Sequence, residues 1–329
     1  MTGANGFLGR SLVAGLLATG RSPAALRCLV RDPERAAAAG IPRSSMWRGD
    51  LADAEALATA ADGVDLVLHL AGAVRAWNRR GYDQANNDGT QRLVAAVTAR
   101  APAAHFVLVS SLAAAGPSVD GSGSEQMPDR CHPVSAYGES KRRGELTVVG
   151  SKLAWTIVRP PVVYGPGDAA TQLLVRQACA PLCLVPPRPR PLSVISVRDV
   201  TTALLLAADC RPRAAVLPLD GPERTDTHAL LRAIAAACGR RARLLPVPLG
   251  IAAAVAGVCD VWASLTHRAS FFSGDKIKEL RADGWVADGV AARALLAFVP
   301  MVTLAAGLLE VAVAAGRARA PGGATSTIA

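Results

Sequence analysis

Tyr137 and Lys141 stand four residues apart in the chain, a spacing that would put both side chains on one face of a helix. A phenol has a pKa of about 10 and is a poor general base at neutral pH. A neighbouring ammonium group favours the phenolate and lowers that pKa towards a useful range. The pair therefore indicates acid–base chemistry, with Tyr137 as the acid or base and Lys141 as the group that tunes it.

Two hydroxyl side chains, Ser110 and Ser111, follow a short apolar run over residues 105–109. Such a run predicts a buried parallel strand, and ligands bind at the carboxyl ends of parallel strands. A serine in this position could hold the oxygen of a substrate beside Tyr137 while a hydride moves to or from a nicotinamide. We therefore predict that Tyr137, Lys141 and one of these two serines are catalytic.

Gly3, Gly6 and Gly9, spaced three apart at the start of the chain, predict a turn that binds a dinucleotide. They could close a tight turn, let backbone approach a pyrophosphate and let the following helix lie against a sheet. Apolar residues over 7–17 predict that helix, whose N-terminus would point its dipole and free N–H groups at the phosphates. The turn thus supplies the cofactor site that hydride chemistry needs.

A dinucleotide turn of this kind follows a strand that is central in a doubly wound sheet. Here only Met1 precedes Thr2, so we expect the first strand to be missing from this sequence and translation to begin several residues upstream. Without that strand its neighbours would lose a ladder of buried hydrogen bonds, each costing on the order of 1 to 3 kcal/mol when unsatisfied.

Arg31 and Asp32 directly follow a short apolar run over residues 26–30. At this position a dinucleotide fold binds the ribose of its cofactor. An arginine there pairs with the 2′-phosphate of NADP, and a carboxylate accepts the 2′-hydroxyl of NAD. Arg31 comes first, so NADP is the favoured cofactor and NAD the alternative, although either charge could belong to a solvated loop. Asp50, after the next predicted strand, could accept a hydrogen bond from adenine or could cap a turn or helix.

His69 ends a further predicted strand and is followed by residues 71–73, whose small side chains would let backbone pass close to the cofactor. Because the sequence offers His69 no evident partner carboxylate, we interpret it as a structural residue. Asn86 and Gly89 fall in the first turns of a helix predicted over residues 82–100, where both residue types are unfavourable. Their presence indicates that another contact requires them.

The composition of the 329-residue chain excludes several classes of partner. The formal net charge is +10, but the arginines are scattered and form no basic run with interleaved aromatics, so we predict no nucleic-acid partner. The charge could attract an anionic cofactor. The seven cysteines stand in apolar segments without CxxC spacing. They are typical of core thiols in a reducing compartment, so we predict a cytoplasmic protein with neither disulfides nor a metal site.

Two apolar stretches bear on membrane contact. Residues 295–316 are the one transmembrane candidate, but they contain Pro300 and Glu310, and Thr303 could cap a helix, so we predict a turn followed by a buried amphipathic helix. Residues 249–265 predict a helix over the substrate pocket, with peripheral membrane contact as an alternative. We therefore predict no transmembrane segment.

Together these motifs resemble the extended short-chain dehydrogenase/reductases of the NAD-dependent epimerase/dehydratase superfamily, over nearly the whole chain. That family's T-G-x-x-G-x-x-G turn is matched by residues 2–9. Its Tyr-x-x-x-Lys pair and the serine before it are matched by Tyr137, Lys141 and Ser111. The other matching segments are Asp50-Leu51, residues 69–72, Asn86 with Gly89-Thr90, residues 159–168, residues 197–200, Trp285 and residues 298–307.

The resemblance implies an α/β fold with a doubly wound parallel sheet, the Rossmann fold. It implies an NAD(P)-binding domain over residues 1–164, to which residues 193–220 contribute, a smaller C-terminal substrate lobe over residues 165–192 and 221–316, and a disordered tail over residues 317–329. The candidate cofactor-binding residues are Gly3, Asn5, Gly6, Phe7, Leu8, Gly9, Arg31, Asp50, Leu51, Leu70, Ala71, Gly72, Asn86, Ser110, Tyr137, Lys141, Pro160, Val162 and Val163.

Residues 159–164, Arg-Pro-Pro-Val-Val-Tyr, resemble the branch that includes 3β-hydroxysteroid dehydrogenases and dihydroflavonol reductases. Sugar-nucleotide epimerases usually carry an Arg-Tyr-Phe-Asn-like turn there. The resemblance implies an NADP-preferring enzyme that interconverts a secondary alcohol and a ketone on a fairly apolar small molecule, steroid-, flavonoid- or ketoacyl-like. It also implies a homodimer formed through helices near residues 82–100 and 137–150.

Two alternatives to this function stay open. A sugar-nucleotide epimerase or dehydratase with retained NAD would need basic residues such as Arg176, Arg188 or Arg190 to hold a pyrophosphate. A non-catalytic nucleotide-binding protein is the other alternative, which the presence of both Tyr137 and Lys141 disfavours.

Overall fold

The computed structural model describes residues 1–266 and 272–318. Its largest sheet is parallel, with the strand order β3-β4-β5-β9, and a further parallel pair joins β1 to β2. These strands are mostly buried aliphatic runs because helices cover both faces of the sheet. Their bounds are β1 (Cys28–Val30), β2 (Met46–Arg48), β3 (Leu66–His69), β4 (His105–Val109), β5 (Ala154–Arg159) and β9 (Ala215–Pro218).

Met1 and Thr2 lie between these two groups of strands. The backbone N–H of Thr2 donates to the Leu68 carbonyl at 3.0 Å, and the N–H of Leu29 donates to the Met1 carbonyl at 2.9 Å. The sheet order is therefore β2-β1-Thr2-β3-β4-β5-β9, the doubly wound order with Thr2 at the position of its first strand. The predicted fold class is confirmed, and of that first strand the chain contributes Met1 and Thr2.

The helices around this sheet bury their leucines and valines against it. On one face Leu12 and Leu204 are fully buried where the first helix packs against the helix that begins at Val197. On the other face Leu57 and Val97 pack around Phe106. The bounds of these helices are α1 (Phe7–Ala18), α2 (Pro33–Ala38), α3 (Ala54–Ala61), α4 (Arg79–Asp83), α5 (Gly89–Arg100), α6 (Leu112–Ala115), α7 (Ala136–Val149) and α9 (Val197–Cys210).

A second apolar cluster, centred on Val175, Ile234 and Leu308, lies outside the main sheet. In this region β8 (Pro191–Ser196) pairs in parallel with β6 and antiparallel with β10, and β7 pairs in parallel with β11. The bounds here are β6 (Val162–Tyr164), β7 (Cys183–Val185), β8 (Pro191–Ser196), β10 (Arg224–Asp226), β11 (Leu244–Pro246), α8 (Ala169–Ala178), α10 (Thr227–Ala237) and α14 (Leu304–Ala314). The boundaries between domains stay a prediction.

Thr303 caps the N-terminus of α14, because its hydroxyl accepts a hydrogen bond from the backbone N–H of Ala306 at 3.3 Å. Leu304 and Val311 of that helix are buried, and α13 (Val290–Leu296) precedes it. The turn and buried helix predicted in residues 295–316 are thus confirmed. Residues 319–329 of the predicted tail lie outside the described residues.

The membrane candidate differs from the one the sequence indicated. Within residues 1–266 and 272–318, α11 (Leu249–Thr266) is the helix that is long and apolar enough to cross a membrane by length and composition, with a mean hydropathy of 1.6 and 11% of it buried. Residues 295–316 do not qualify because the chain divides there into two short helices. α11 packs against α12 (Gly274–Arg281).

Candidate active site

The helix that carries Tyr137 and Lys141, α7, is held at its N-terminus by two side chains. The hydroxyl of Ser135 accepts the N–H of Gly138 at 3.0 Å. The carboxylate of Asp275, on α12, accepts the N–H of Ala136 at 2.7 Å and that of Tyr137 at 3.3 Å. The first turn of the helix is therefore anchored to α12 across a large sequence separation.

Lys141 is buried at the end of β4. Its Nζ donates to the carbonyl of Val109 at 2.8 Å, one residue before Ser110. Burial lowers the pKa of Lys141 to about 8, and the carboxylate of Glu145, one turn further along α7, acts in the opposite direction. The ammonium is thus fixed at the carboxyl end of the sheet, where the sequence predicted it.

Tyr137 differs from the expectation in the direction of its pKa shift. Burial raises the pKa of Tyr137 to about 12, while a hydrogen bond with the Ser111 hydroxyl lowers it by less. We expected the ammonium of Lys141 to lower this pKa, but desolvation is the larger effect and that ammonium is bonded to a backbone carbonyl. The phenol is therefore protonated at neutral pH and is suited to donate its proton.

The two serines at the end of β4 have different surroundings. Ser111 caps the N-terminus of α6, where its hydroxyl accepts a hydrogen bond from the N–H of Ala113 at 3.2 Å. The same hydroxyl forms the hydrogen bond that works to lower the pKa of Tyr137. Ser110 is buried, and its Oγ has no hydrogen-bond partner among the residues that the structure describes. Ser111 is thus the serine that lies at Tyr137, whereas Ser110 offers a hydroxyl to a group that the protein itself does not supply.

The glycine turn has the geometry of a dinucleotide cradle. Gly3 adopts a φ of 73°, and a Cβ there would lie 2.7 Å from the backbone nitrogen of Ala71. A Cβ at Gly9 would overlap the carbonyl oxygen of Gly3, so only glycine lets α1 start this close to the turn. No side chain of the described residues caps α1, which leaves its first N–H groups to bind an anion. These residues therefore fit the pyrophosphate of a dinucleotide.

Asn86 ties the loop after β3 to the catalytic helix. Its Oδ1 accepts the N–H of Ala73 at 2.9 Å, and its Nδ2 donates to the Ala73 carbonyl at 3.0 Å and to the Ser140 hydroxyl at 2.9 Å. A Cβ at Gly72 would lie 2.6 Å from that Oδ1. The helix predicted over residues 82–100 accordingly widens at Gln84–Asp88 before α5 begins. The contact that the sequence indicated for Asn86 is this one.

His69 is a structural residue, as the sequence predicted. Its ring nitrogens share hydrogen bonds with the hydroxyls of Thr2 at 2.6 Å and Thr90 at 2.9 Å. Burial, with a smaller contribution from the Lys141 charge, lowers the pKa of His69 to about 3. The neutral ring joins the start of the chain to α5 behind the cofactor cradle.

The carboxylates considered for ribose and adenine both hold turns. Asp32 accepts the N–H of Arg35 at 3.0 Å at the start of α2, and Asp50 accepts the N–H of Ala52 at 2.6 Å. Arg31 is exposed at the end of β1. The turn alternative given for Asp50 is therefore realised in the structure, whereas the cap formed by Asp32 was not among the expectations for that residue.

Most of the remaining candidate residues lie along the same carboxyl edge of the sheet. Leu70 donates its N–H to the Thr2 carbonyl at 3.2 Å, and the Pro160 carbonyl accepts the N–H of Leu112 at 2.8 Å. Asn5, Phe7 and Leu8 lie in the turn and the start of α1, and Leu51 lies against Gly89. Val162 and Val163 lie instead within β6, outside this sheet. Of the predicted set, Arg31, Leu70, Ser110 and Pro160 directly follow β1, β3, β4 and β5.

The sequence did not indicate a partner for Arg159, which it identified only as the first residue of the family-like segment 159–168. Its guanidinium makes two bonds to the carboxylate of Glu145, at 2.9 and 2.6 Å, and both side chains are fully buried. Although burial works to lower the pKa of Arg159, the bonds to Glu145 raise it overall. The same guanidinium donates to the carbonyls of Ser124 and Gln126 at 2.8 and 2.7 Å. This ion pair fixes the loop before α7.

The chain is similar to several known proteins. The model of the NAD dependent epimerase/dehydratase family matches residues 1–186. Ceramide reductase of Caulobacter vibrioides is 34% identical over 297 residues, which is 87% of this chain and 84% of that protein. A 4-hydroxy-2-methyl-3-oxo-4-farnesyl-3,4-dihydroquinoline-1-oxide ketoreductase of Stigmatella aurantiaca is 28% identical over 82% of each chain.

Solved structures share the fold. The crystal structure of gox2253 superposes with a TM-score of 0.74 at 22% identity, over 97% of this chain and 98% of that one. MoeE5 in complex with UDP-glucuronic acid and NAD gives a TM-score of 0.72 at 22% identity, over 96% of this chain and 98% of that one.

Proposed function

Because the chain belongs to the NAD-dependent epimerase/dehydratase family and is an NAD(P)-dependent oxidoreductase of the extended short-chain type, we propose that it reduces a ketone on an apolar, lipid-like molecule to a secondary alcohol. The observation that carries this proposal is the neutral phenol of Tyr137 beside the Ser111 hydroxyl. Burial raises the pKa of Tyr137 to about 12, so at neutral pH it holds the proton that the oxygen of a reduced ketone must receive.

The cofactor would be held by the cradle already described. A bound nicotinamide dinucleotide supplies the hydride that reduces the carbonyl carbon. Gly3, Gly6 and the free N–H groups at the start of α1 would bind its pyrophosphate. Lys141 would bind a ribose hydroxyl, and the unpartnered Oγ of Ser110 would form a hydrogen bond with the same ligand.

Ser111 and Tyr137 would act on the substrate. Their hydroxyls would donate hydrogen bonds to the carbonyl oxygen, which orients and polarises the carbonyl. Tyr137 then transfers its proton to that oxygen as negative charge develops there. The resulting phenolate is stabilised by the ammonium of Lys141, which stays charged at neutral pH because its pKa is about 8.

The identity of the relatives supports an apolar ketone. The names of both the ceramide reductase and the farnesyl-bearing ketoreductase denote reduction of molecules with long apolar chains. The ceramide reductase match covers 87% of this chain, so it extends beyond residues 1–164 into the region that we predict to bind substrate.

The contacts of Arg190 favour this function over the epimerase alternative. That alternative needs Arg176, Arg188 or Arg190 to hold a sugar-nucleotide pyrophosphate, but the Arg190 guanidinium is engaged by the carboxylate of Asp283. Arg176 on α8 and Arg188 before β8 are exposed and stay available to a pyrophosphate, so the ion pair withdraws Arg190 alone from that role. The homodimer and the cytoplasmic location stay predictions.

We further propose that NADPH is the preferred cofactor. Asp32 is bonded to the first turn of α2, which reduces its ability to accept a ribose 2′-hydroxyl, whereas Arg31 is exposed beside it. An exposed guanidinium at this position can pair with a 2′-phosphate.

The test is to denature the purified protein, identify any nucleotide that it releases, and then titrate NADPH and NADH. A reductase must exchange its cofactor in every turnover, so we expect an empty protein that binds NADPH at least about tenfold more tightly than NADH. The Arg31→Ser variant should lose this preference while it keeps its affinity for NADH. Release of one NAD per chain would instead support an epimerase.

A further inference from the structure

We propose that α11 docks on an anionic lipid bilayer through its outward face, lying along the membrane surface. We call this face, formed by Ile251, Val255, Val258, Val261, Trp262 and Leu265, the docking face. It adds an interaction with a membrane to a protein whose cofactor site and catalytic residues lie elsewhere.

The inner face of α11 is small and is held by the protein. Ala256 and Ala263 are its buried residues. Asp260, on the same side of the helix, accepts the N–H of Gly274 at 2.8 Å at the start of α12. Asp260 is the single charged residue in Leu249–Thr266, so no charge remains for the opposite side.

The docking face is unusually apolar for a surface that meets water. Each of its six side chains is more than half exposed, from 51% for Val255 to 77% for Leu265. A helix on the surface of a soluble protein normally presents polar residues in these positions, and a contiguous apolar patch marks an interaction site. Leu184 and Leu245, on the strand pair β7 and β11, are also exposed, at 55% and 43%.

Charge favours an anionic bilayer over a second copy of the chain as the occupant. The chain carries a formal net charge of +10, and residues 240–281 contain seven Lys or Arg against three Asp or Glu. Arg241 and Arg243 are exposed immediately before β11, which leads into α11. Two such basic surfaces repel each other, whereas anionic lipid headgroups attract them. Trp262 supplies the ring type that is enriched at membrane interfaces.

The geometry favours docking along the surface over crossing the bilayer. The 18 residues of α11 rise about 27 Å, slightly less than a hydrocarbon core of about 30 Å. A crossing would also place Asp260 in hydrocarbon and remove its hydrogen bond to Gly274. An in-plane helix keeps that bond and buries the docking face at the boundary between headgroups and acyl chains.

Docking would bring the catalytic helix close to the bilayer. α12, which packs against α11, carries the Asp275 carboxylate that accepts the N–H groups of Ala136 and Tyr137. A ketone dissolved in the membrane could therefore enter the site without crossing water, a consequence that rests on the proposed function. The docking itself does not depend on which reaction the site performs.

The test is flotation of the full chain with vesicles of phosphatidylcholine alone or mixed with phosphatidylglycerol. We expect flotation with the anionic vesicles and a loss at high salt. The variant Val258→Ser/Leu265→Ser should reduce binding at least about tenfold. The matched control Val290→Ser/Val299→Ser, whose sites lie in α13 and in the segment before α14 and are 59% and 58% exposed, should float like the parent protein.

Folding, cofactor binding and oligomeric state complete the test. Both variants should keep the parent's circular dichroism and its affinity for NADPH, and flotation alone reports docking, so a failure of the proposed function is distinguishable from a failure of docking. Absence of flotation with anionic vesicles, or equal flotation of the Val258→Ser/Leu265→Ser variant, would overturn the proposal. A parent dimer that this variant converts to a monomer, without vesicle binding, would assign the docking face to a second copy instead.

Discussion

The carboxylate of Asp275 accepts the backbone N–H of Tyr137 at 3.3 Å, although the two residues are 138 positions apart. It also accepts the N–H of Ala136 at 2.7 Å. A carboxylate at this place complements the dipole of α7 and satisfies two N–H groups that have no partner within the helix. The start of the catalytic helix is thus held by an element that lies far away in sequence.

We predict that Asp275→Ala lowers both stability and the rate of reduction. Loss of a carboxylate that binds N–H groups at a helix start costs about 0.5 to 2 kcal/mol, and Tyr137 loses its fixed position, so kcat should fall by about tenfold or more. Asp275→Asn should restore part of both.

Asp226→Ala is the matched control, since Asp226 accepts two N–H groups at the start of α10, at 2.8 and 2.9 Å. It should show a similar loss in thermal unfolding with unchanged kcat. Equal effects of the two alanine variants on kcat would mean that Asp275 acts through stability alone.

The rate of reduction should fall as pH rises through the pKa of Lys141. That pKa is lowered by burial to about 8, so higher pH removes the positive charge that stabilises the Tyr137 phenolate. We expect a constant kcat around neutral pH and a decline above about pH 8. The Lys141→Arg variant, which keeps its charge, should move the decline to higher pH. A profile of the parent enzyme that stays flat to about pH 10 would contradict this assignment.

Acid should destabilise the protein through His69. Burial holds its pKa at about 3 in the folded protein, whereas in the unfolded chain it is about 6.5. Between these values the unfolded chain binds more protons, so the free energy of unfolding decreases as pH falls, on the order of 2 kcal/mol from about pH 6.5 to about pH 5. Urea unfolding at several pH values measures this dependence, and His69→Gln, which does not titrate, should make it shallower.

Glu145→Gln should be strongly destabilising because it leaves the Arg159 guanidinium buried without a countercharge. Removal of one partner of a buried ion pair costs about 3 to 5 kcal/mol, whereas replacement of both by apolar residues often costs much less. We therefore expect the double variant Glu145→Met/Arg159→Met to unfold at a higher urea concentration than Glu145→Gln. The opposite order would show that the bonds from Arg159 to the loop carbonyls matter more than its charge balance.

The sequence predicts the parts of the site that depend on local spacing. Tyr137 and Lys141 are one helical turn apart, and Ser110 and Ser111 end a buried strand, so helix and strand geometry are enough to bring them together. The unfavourable position of Asn86 in a helix likewise indicates a contact, which the structure identifies with Ala73 and Ser140. The doubly wound order follows from alternating strands and helices around the glycine turn.

The features that the sequence does not predict depend on contacts between distant segments. No spacing relates Asp275 to Tyr137, and the Arg159–Glu145 pair needs the packing of β5 against α7. The direction of the Tyr137 pKa shift depends on its burial, which outweighs the neighbouring charges. The sequence left open whether α11 covers the substrate pocket or contacts a membrane, since an apolar helix is equally compatible with a core position and with an exposed one.

The most direct test of the central claim is to follow the hydride with NADPH deuterated at the reactive carbon of the nicotinamide, using a long-chain keto lipid as substrate. We predict that each alcohol formed consumes one NADPH and carries the deuterium on its carbinol carbon, and that Tyr137→Phe lowers the rate by about 100-fold or more without abolishing NADPH binding. Conversion of a substrate with no net consumption of NADPH, or full activity of Tyr137→Phe, would contradict the account.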